Sequence, residues 1–300
     1  MVLGNSRCMF VALLGAPNVG KSTLLNRVVG AKISIVTPKV QTTRTRIVGI
    51  AMRDKVQIIF LDTPGIFKPR QRLQRAMVEA AWSSARQADS IVLLIDANAG
   101  LTEDSCRLIT KLKDQNRPTI VALNKIDLIK PPRLLKLTSS LNTEGFFTDT
   151  FMISALTGDG VEDLVAKLAE SAPTGPWLYP KDQLSDVPLR MLAAEITREK
   201  LFLQLQNELP YSTAIETEEW NERKDGSVRI DQTIYVQRNS QKMIVVGKNG
   251  TRIKSIGSVA RCELEKLLER RVHLFLHVKV RRDWSERPDH YRTIGLNFNA

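Results

Sequence analysis

The run Gly15-Ala16-Pro17-Asn18-Val19-Gly20-Lys21-Ser22 follows an apolar stretch, Phe10–Leu14, and opens a helical pattern over Lys21–Val29. No other part of the chain limits the fold as tightly. Glycines let a backbone wrap closely round a phosphate, and the first N–H groups of a helix are donors without intrahelical partners. Lys21 would bridge β- and γ-phosphates as a point charge, and the Ser22 hydroxyl would ligate Mg2+. Thr23, next on the same helix, joins the phosphate-binding set. Such a strand–loop–helix unit belongs in an α/β sheet, and the first 170 residues agree. Phe10–Leu14, Gln57–Leu61, Ile91–Ile95, Thr119–Leu123 and Thr150–Ile153 read as short strands, apolar on both faces as in a parallel sheet covered by helices. Lys21–Val29, Gln74–Gln87, Thr102–Gln115, Arg133–Asn142 and Val161–Glu170 read as the helices between them.

Asp62-Thr63-Pro64-Gly65 follows the second of these strands. A carboxylate there can hold the Mg2+ shell, and the Gly65 N–H can bond a γ-phosphate. Gln41-Thr42-Thr43-Arg44 lies in a stretch without firm periodicity. A hydroxyl of Thr42 or Thr43 could complete the Mg2+ shell only when the γ-phosphate is present, which would make that loop a switch.

Asn124-Lys125-Ile126-Asp127 follows the strand Thr119–Leu123. The Asp127 carboxylate can accept both N1–H and N2–H2 of guanine. Adenine lacks those donors and would strand a desolvated carboxylate, at a cost of about 1–3 kcal/mol. Asn124 would tie this loop to the phosphate loop, the Lys125 stem can lie across the base, and a backbone N–H at Ser154 or Ala155 can reach guanine O6. These residues favour GTP over ATP and set aside a P-loop ATPase or kinase. Intact Lys21, Ser22 and Asp62 argue against a degenerate nucleotide fold. Ile66 follows Gly65, where some small GTPases place a water-orienting glutamine, so slow intrinsic hydrolysis is expected. Lys21 is the residue assigned to transition-state charge, and no general base is named.

The pattern breaks at Ala172–Pro188, where Pro173, Gly175, Pro176, Pro180 and Pro188 give linker chemistry. Beyond it an α+β domain is expected: a helix over Leu189–Leu209, strands Tyr211–Asn221 and Val228–Gln237 around the turn Lys224–Ser227, a basic helix Thr251–Glu269 and a strand from Leu274 to Val280. By propensity alone Met243–Val246 is also a strand. The net charge is +12. Fourteen Lys/Arg against six acids fall in Arg238–Arg292, and nine against two in Lys39–Arg75, a distribution that invites a polyanionic partner. Gly247-Lys248-Asn249-Gly250 enters the basic helix as a Gly-x-x-Gly loop, the signature of a KH domain for single-stranded RNA. Its glycines let a sugar-phosphate backbone approach, and Lys248, Arg252 and Lys254 can meet phosphates.

The two halves together resemble the Era family of bacterial ribosome-associated GTPases. The matching stretches are Gly15–Ser22, Gln41–Arg44, Asp62–Gly65, Asn124–Asp127, Gly247–Gly250 and Lys279-Val280-Arg281-Arg282-Asp283-Trp284. The resemblance implies a P-loop GTPase domain with a mostly parallel sheet over 1–171, a linker at 172–188, a type II KH domain over 189–284 and a tail at 285–300. It makes Met243–Val246 a short helix and prefers Thr43 to Thr42, because the Thr-Arg step recurs in such GTPases. Asn18 has two readings: a K+ site that adds positive charge near the transferring phosphate, as in a subset of such GTPases, or a residue that tightens the loop. The family further implies binding near the 3′ end of 16S rRNA, assistance to small (30S) subunit maturation and peripheral association with the inner membrane; a cytoplasmic monomer is expected, though the sequence does not give the oligomeric state.

The remaining features carry less. No apolar run reaches the roughly 20 residues that span a bilayer, and Met1–Met9 lacks the pattern of a secretory signal. Cys8, Cys106 and Cys262 have no metal-ligand spacing and read as free thiols in a reducing cytoplasm. His273, His277 and His290 form no ligand set. Trp177, Trp220 and Trp284 could stack a base but read by default as packing. The cations of Lys68–Arg75 contact RNA or form a solvated loop.

Overall fold

The structure, a computed structural model, describes residues 6–206 and 209–300. Residues 1–5 of the segment read for a signal, and residues 207–208 near the end of the expected helix Leu189–Leu209, lie outside the described residues, as does the His290 side chain. The chain forms two compact units: residues 1–34, 43–186 and 292–300 make the first, and 35–42 with 187–291 make the second.

In the first unit, β1 (Arg7–Leu14), β2 (Ile47–Arg53), β3 (Val56–Asp62), β4 (Ser90–Asp96), β5 (Thr119–Asn124) and β6 (Phe147–Met152) build one sheet. The order is β2-β3-β1-β4-β5-β6, parallel throughout except for the β2–β3 pair. Helices α1 (Lys21–Val29), α2 (Arg72–Gln87), α3 (Glu103–Asp114), α4 (Pro131–Asn142) and α5 (Val161–Ser171) are the crossovers. Every residue of β3 and β5 is buried, which is why their centres, Ile58–Leu61 and Ile120–Leu123, read as unbroken apolar runs. Local chemistry fixes the helix starts. The Thr102 side chain accepts the Ser105 N–H at 3.3 Å, with Glu103 and Asp104 in the first turn of α3 and Lys111 and Lys113 in the last. Pro131 begins α4, where its missing N–H costs nothing.

Strand β2 is an addition to the strands expected from sequence. It pairs antiparallel with β3 from Ile47↔Asp62 to Arg53↔Val56, turning through Asp54 at φ +50. The Pro-rich stretch after α5 lies along the first unit. Gln57 Nε2 donates to Tyr179 O at 2.8 Å, Ile50 N–H donates to Leu184 O at 2.9 Å, and Ser185 Oγ donates to Val48 O at 2.6 Å. Backbone groups there find partners on β2 and β3 despite the prolines.

In the second unit, β7 (Thr213–Glu222) pairs antiparallel with β8 (Val228–Val236), and β8 pairs parallel with β9 (Val272–Val280). Helices α6 (Leu189–Gln204), α7 (Asn239–Val246) and α8 (Thr251–Leu268) complete it, and a short α9 (Pro288–Thr293) follows. Phe202, Ile234, Val236, Val245, Ile256 and Val278 share one core cluster. Leu192, Ile196, Val228, Ile230, Leu264 and Val272 share another. Met243–Val246 is helical. Val245 is buried in the core and Val246 packs against it, while the Gln241 side chain accepts N–H groups from Gln237 and Arg238, so packing and capping override β-propensity. The Trp284 Nε1 donates to Ser212 O at 3.2 Å in a buried setting, a packing role.

Leu93, fully buried on central β4, offers a test of this core. Leu93→Ala should cost about 2–5 kcal/mol, read as a lower urea midpoint at unchanged slope.

Candidate functional site

In the first unit the sheet reverses its winding beside β1, which has β3 on one side and β4 on the other. A crevice outside the carboxyl ends of the strands is therefore expected there, and the loops that carry the sequence motifs all emerge at that edge. Gly15–Gly20 follows β1, Asp62 ends β3, Asn124 ends β5, and Ser154 and Ala155 come after β6.

The phosphate loop is held from behind. Lys21 Nζ donates to Gly15 O at 3.2 Å and Ala16 O at 3.0 Å, and Thr63 Oγ1 donates to Leu13 O. Gly20 has φ +100, and a Cβ there would stand 2.2 Å from Asn124 Nδ2, so no larger residue fits. Pro17 packs on Gly65, and the Ile66 N–H donates to Gly15 O at 3.1 Å. Asn18 sits at the loop apex with φ +63 and an exposed side chain. Thr23, one residue past Ser22, is half-buried on α1.

Behind the loop lies a buried polar cluster. Ser22 Oγ donates to Asp62 Oδ2 at 2.6 Å and stands 2.8 Å from Thr43 Oγ1; Ser34 Oγ donates to the same carboxylate oxygen at 3.1 Å. Thr43, rather than Thr42, is the hydroxyl that meets Ser22. In the second unit Thr42 Oγ1 is engaged with Thr37 Oγ1 and Lys39 O. Asp62 Oδ1 is buried without a hydrogen-bond partner. Two hydroxyls, one carboxylate with a spare oxygen and nearby phosphate-binding N–H groups suit Mg2+, which keeps waters and binds through few protein oxygens. Among the described residues no three His, Cys, Asp or Glu cluster as an all-protein metal cage.

Burial lowers the Lys21 pKa to about 8, with Asp62 opposing the shift. Burial also raises the Asp62 pKa, against Lys21 and the hydroxyls of Ser22, Ser34 and Thr43. Each charge depends on its partner in a low-dielectric site.

Asn124 fastens the remaining loops. Its Nδ2 donates to Val19 O at 2.8 Å and its Oδ1 accepts the Ala155 N–H at 2.9 Å. Lys125 adopts φ +67, and its Nζ bonds Asp96 Oδ2 at 2.6 Å. Exposed Asp127 accepts the Ser154 hydroxyl at 2.6 Å. Three contributors were absent from the sequence reading. Ser34 and Asn26, whose Oδ1 accepts the N–H groups of Ile33 and Ser34, carry no motif. Asp96 does have a signal, as an acid ending an apolar strand at the site edge.

The second unit presents its own loop. Gly247 has φ +75, and a Cβ there would lie 2.8 Å from Arg252 Cβ. Asn249 follows at φ +52, Gly250 at φ +75, and α8 begins at Thr251. Lys248, Asn249, Arg252 and Lys254 are exposed, and Arg252 also donates to Ile244 O at 2.7 Å.

Residues 10–125 match the family described as 50S ribosome-binding GTPase, and residues 208–285 match the KH domain. GTPase Era of Sinorhizobium medicae is 57% identical over 293 residues, covering 98% of this chain and 94% of that protein. The chain is a GTPase of the Era family. GTPase Era of Brucella suis is 55% identical over the same share of each. A crystal structure of an Aquifex aeolicus Era variant bound to GDP·AlF4− is 41% identical, with a TM-score of 0.91 over 96% of this chain and 99% of that one. A crystal structure of Era with MgGDPNP and nucleotides 1506–1542 of 16S ribosomal RNA, also 41% identical, gives 0.92 over 97% and 99%. The family thus pairs a P-loop GTPase domain with a KH domain, and the nucleotides and Mg2+ in those relatives suit the cluster round Ser22 and Asp62.

Three measurements test the geometry. Above about 8, nucleotide-free Lys21 loses a proton that phosphate binding must restore, so GDP affinity should fall several-fold between pH 7 and about 9. A Lys21→Met variant, weaker throughout, should lack that decline. Because the unfolded chain keeps this proton up to the ordinary value of about 10.4, nucleotide-free stability should gain across the same window. Asp127→Asn should weaken GTP and favour xanthosine triphosphate, whose purine offers an acceptor where guanine has a donor; unchanged GTP affinity would remove Asp127 from the base site.

Proposed function

We propose that this GTPase is a nucleotide-operated switch that binds 16S rRNA near its 3′ end and assists maturation of the small (30S) ribosomal subunit. The observation that carries the reading is the Gly247–Gly250 loop, with Lys248 and Asn249 exposed, opening a basic helix in a chain 41% identical to an Era that holds nucleotides 1506–1542 of that RNA. The first family description names the 50S subunit, but a 16S fragment in a relative matched along nearly the whole chain favours the small one. In this reading 1–171 is the GTP-binding domain, 172–188 the linker, 189–284 the KH domain and 285–300 the tail. Gly247 and Gly250 admit the sugar-phosphate backbone, and Lys248, Asn249, Arg252 and Lys254 contact it.

On the nucleotide side, Gly15 to Thr23 cradles the phosphates, and Ser22, Thr43 and Asp62 hold Mg2+. Thr63, Pro64 and Gly65 face the γ-phosphate. Asn124, Lys125, Asp127, Ser154 and Ala155 take guanine. Lys21 and Thr43 meet charge developing in the transition state, with Asn18 at a K+ site. Ile66 is 8% exposed and packs in a core cluster with Trp82 and Leu108. An aliphatic side chain turned inward orients no water, which supports slow intrinsic turnover. The protein works as a cytoplasmic monomer that associates peripherally with the inner membrane; among the described residues no helix is long and apolar enough to cross a membrane.

Crosslinking to total RNA with GTP or GDP bound should recover the 3′-terminal segment of 16S rRNA, and recovery of unrelated RNA would overturn the assignment. Replacing Lys248 and Asn249 together by aspartate should lower affinity for that segment at least about tenfold and spare GDP binding. The salt slope should be about −0.7 per neutralised phosphate for single-stranded RNA. Turnover should be faster in KCl than in NaCl, and equal rates would remove K+ from Asn18.

A further inference from the structure

A cavity of about 380 Å3 opens in the first unit between the loop after Gly65, α2 and α3. None of the phosphate-, magnesium- or guanine-facing residues lines it. Its floor is apolar: Ile66, Trp82 and Leu108 are all more than nine-tenths buried, with Val78 and Phe67 at the sides. Its mouth is cationic. Lys111 places Nζ 4.1 Å from the centroid of the Trp82 ring, and exposed Lys68 stands on the loop. Asp104, the one acid of the lining, lies 3.8 Å from Arg107, which also pairs with Glu103. Lys68 and Lys111 have no carboxylate partner among the described residues.

The volume falls within the range of about 300–1,000 Å3 for small-molecule sites. The apolar floor offers no donors to replace the hydration of a polyphosphate, whereas two unmatched cations at the rim select a negative end. We infer that this cavity is a regulatory site for a small amphipathic organic anion, a flat aromatic body carrying one carboxylate or sulfonate. The ring lies on Trp82 and Leu108, and the anion meets Lys111 and Lys68. Regulation follows from the wall: Ile66 is joined to Gly65 and hydrogen-bonded to Gly15 O. A body wedged behind Ile66 and Phe67 holds Gly65 against the phosphate loop and opposes its adjustment to the γ-phosphate. This second step rests on the assignment of Gly65 to that phosphate.

The probe is 8-anilinonaphthalene-1-sulfonate, titrated into the full chain saturated with Mg2+ and GDP so that the nucleotide site is covered. One saturable fluorescent site is expected. Val78→Phe, which fills the cavity with neutral bulk, and Lys111→Glu, an exposed charge reversal safe for folding, should each weaken it at least about tenfold. Lys136→Glu, exposed on α4, should leave it unchanged. Parental affinity in Val78→Phe and Lys111→Glu overturns the site. In the parent, saturating probe should slow single-turnover GTP hydrolysis at least about threefold; binding at the site with unchanged hydrolysis overturns the regulatory step. A Gly65→Ala variant that still hydrolyses GTP at the parental rate overturns the Gly65 assignment alone and leaves the binding result standing.

Discussion

The nucleotide-binding unit depends on one buried amide. Asn124 joins the phosphate loop through Val19 O to the loop after β6 through the Ala155 N–H, and it lies so close to Gly20 that no Cβ fits between them. Both hydrogen bonds are buried, so losing either leaves an unsatisfied polar group at a cost of about 1–3 kcal/mol. The Gly15–Gly20 loop and the loops after β5 and β6 are therefore tied to one another, even though more than a hundred residues separate Val19 from Asn124. Strand order makes this possible: β1, β4 and β5 are consecutive in a parallel sheet, and their carboxyl ends bring the loops side by side.

A second constraint is electrostatic. Lys21 and Asp62 are both buried, and burial displaces each toward its neutral form. The hydroxyls of Ser22, Ser34 and Thr43 partly compensate Asp62, yet Oδ1 has no partner. A site that holds charged groups at a solvation cost is preorganised for an anion and a cation arriving together, because each relieves one of the two penalties. Thr43 is the element of this cluster drawn from the irregular segment before β2. Residue 42, its neighbour, is assigned with 35–41 to the other compact unit. The chain thus places a change of unit within one peptide bond of a hydroxyl that meets Ser22.

The second unit solves a different problem. Its loop at 247–250 takes three left-handed residues in four, Gly247, Asn249 and Gly250, which turns the backbone sharply between α7 and α8. The turn leaves cationic side chains pointing into solvent, where they are available to a polyanion. The Ile66 side chain shows the opposite choice in the first unit: it contributes to the core instead of to water placement. Ile66 thus serves the core of the nucleotide half, while the loop at 247–250 in the other half presents Lys248 and Asn249 to solvent.

Sequence by itself determined the fold class of both halves, the order of the site motifs and the preference for guanine. Those signals are local: a loop that needs glycine, the run Asn124-Lys125-Ile126-Asp127 after a strand, and a period of burial that survives in a one-dimensional pattern. Strand β2 was not legible, since Ile47–Arg53 sits in a stretch where basic residues and an irregular switch segment mask a strand whose partner alone identifies it. Met243–Val246 has strand propensity but becomes helix because Val245 and Val246 find the core on one side and Gln241 caps the turn. Only the tertiary structure decided that Thr43 rather than Thr42 meets Ser22, that Ser34 shares Asp62, and that Asp96 holds Lys125. Adjacent threonines are chemically equal on paper. What separates them is which way one backbone turn points each hydroxyl: Thr42 toward Thr37 and Lys39, Thr43 toward Ser22.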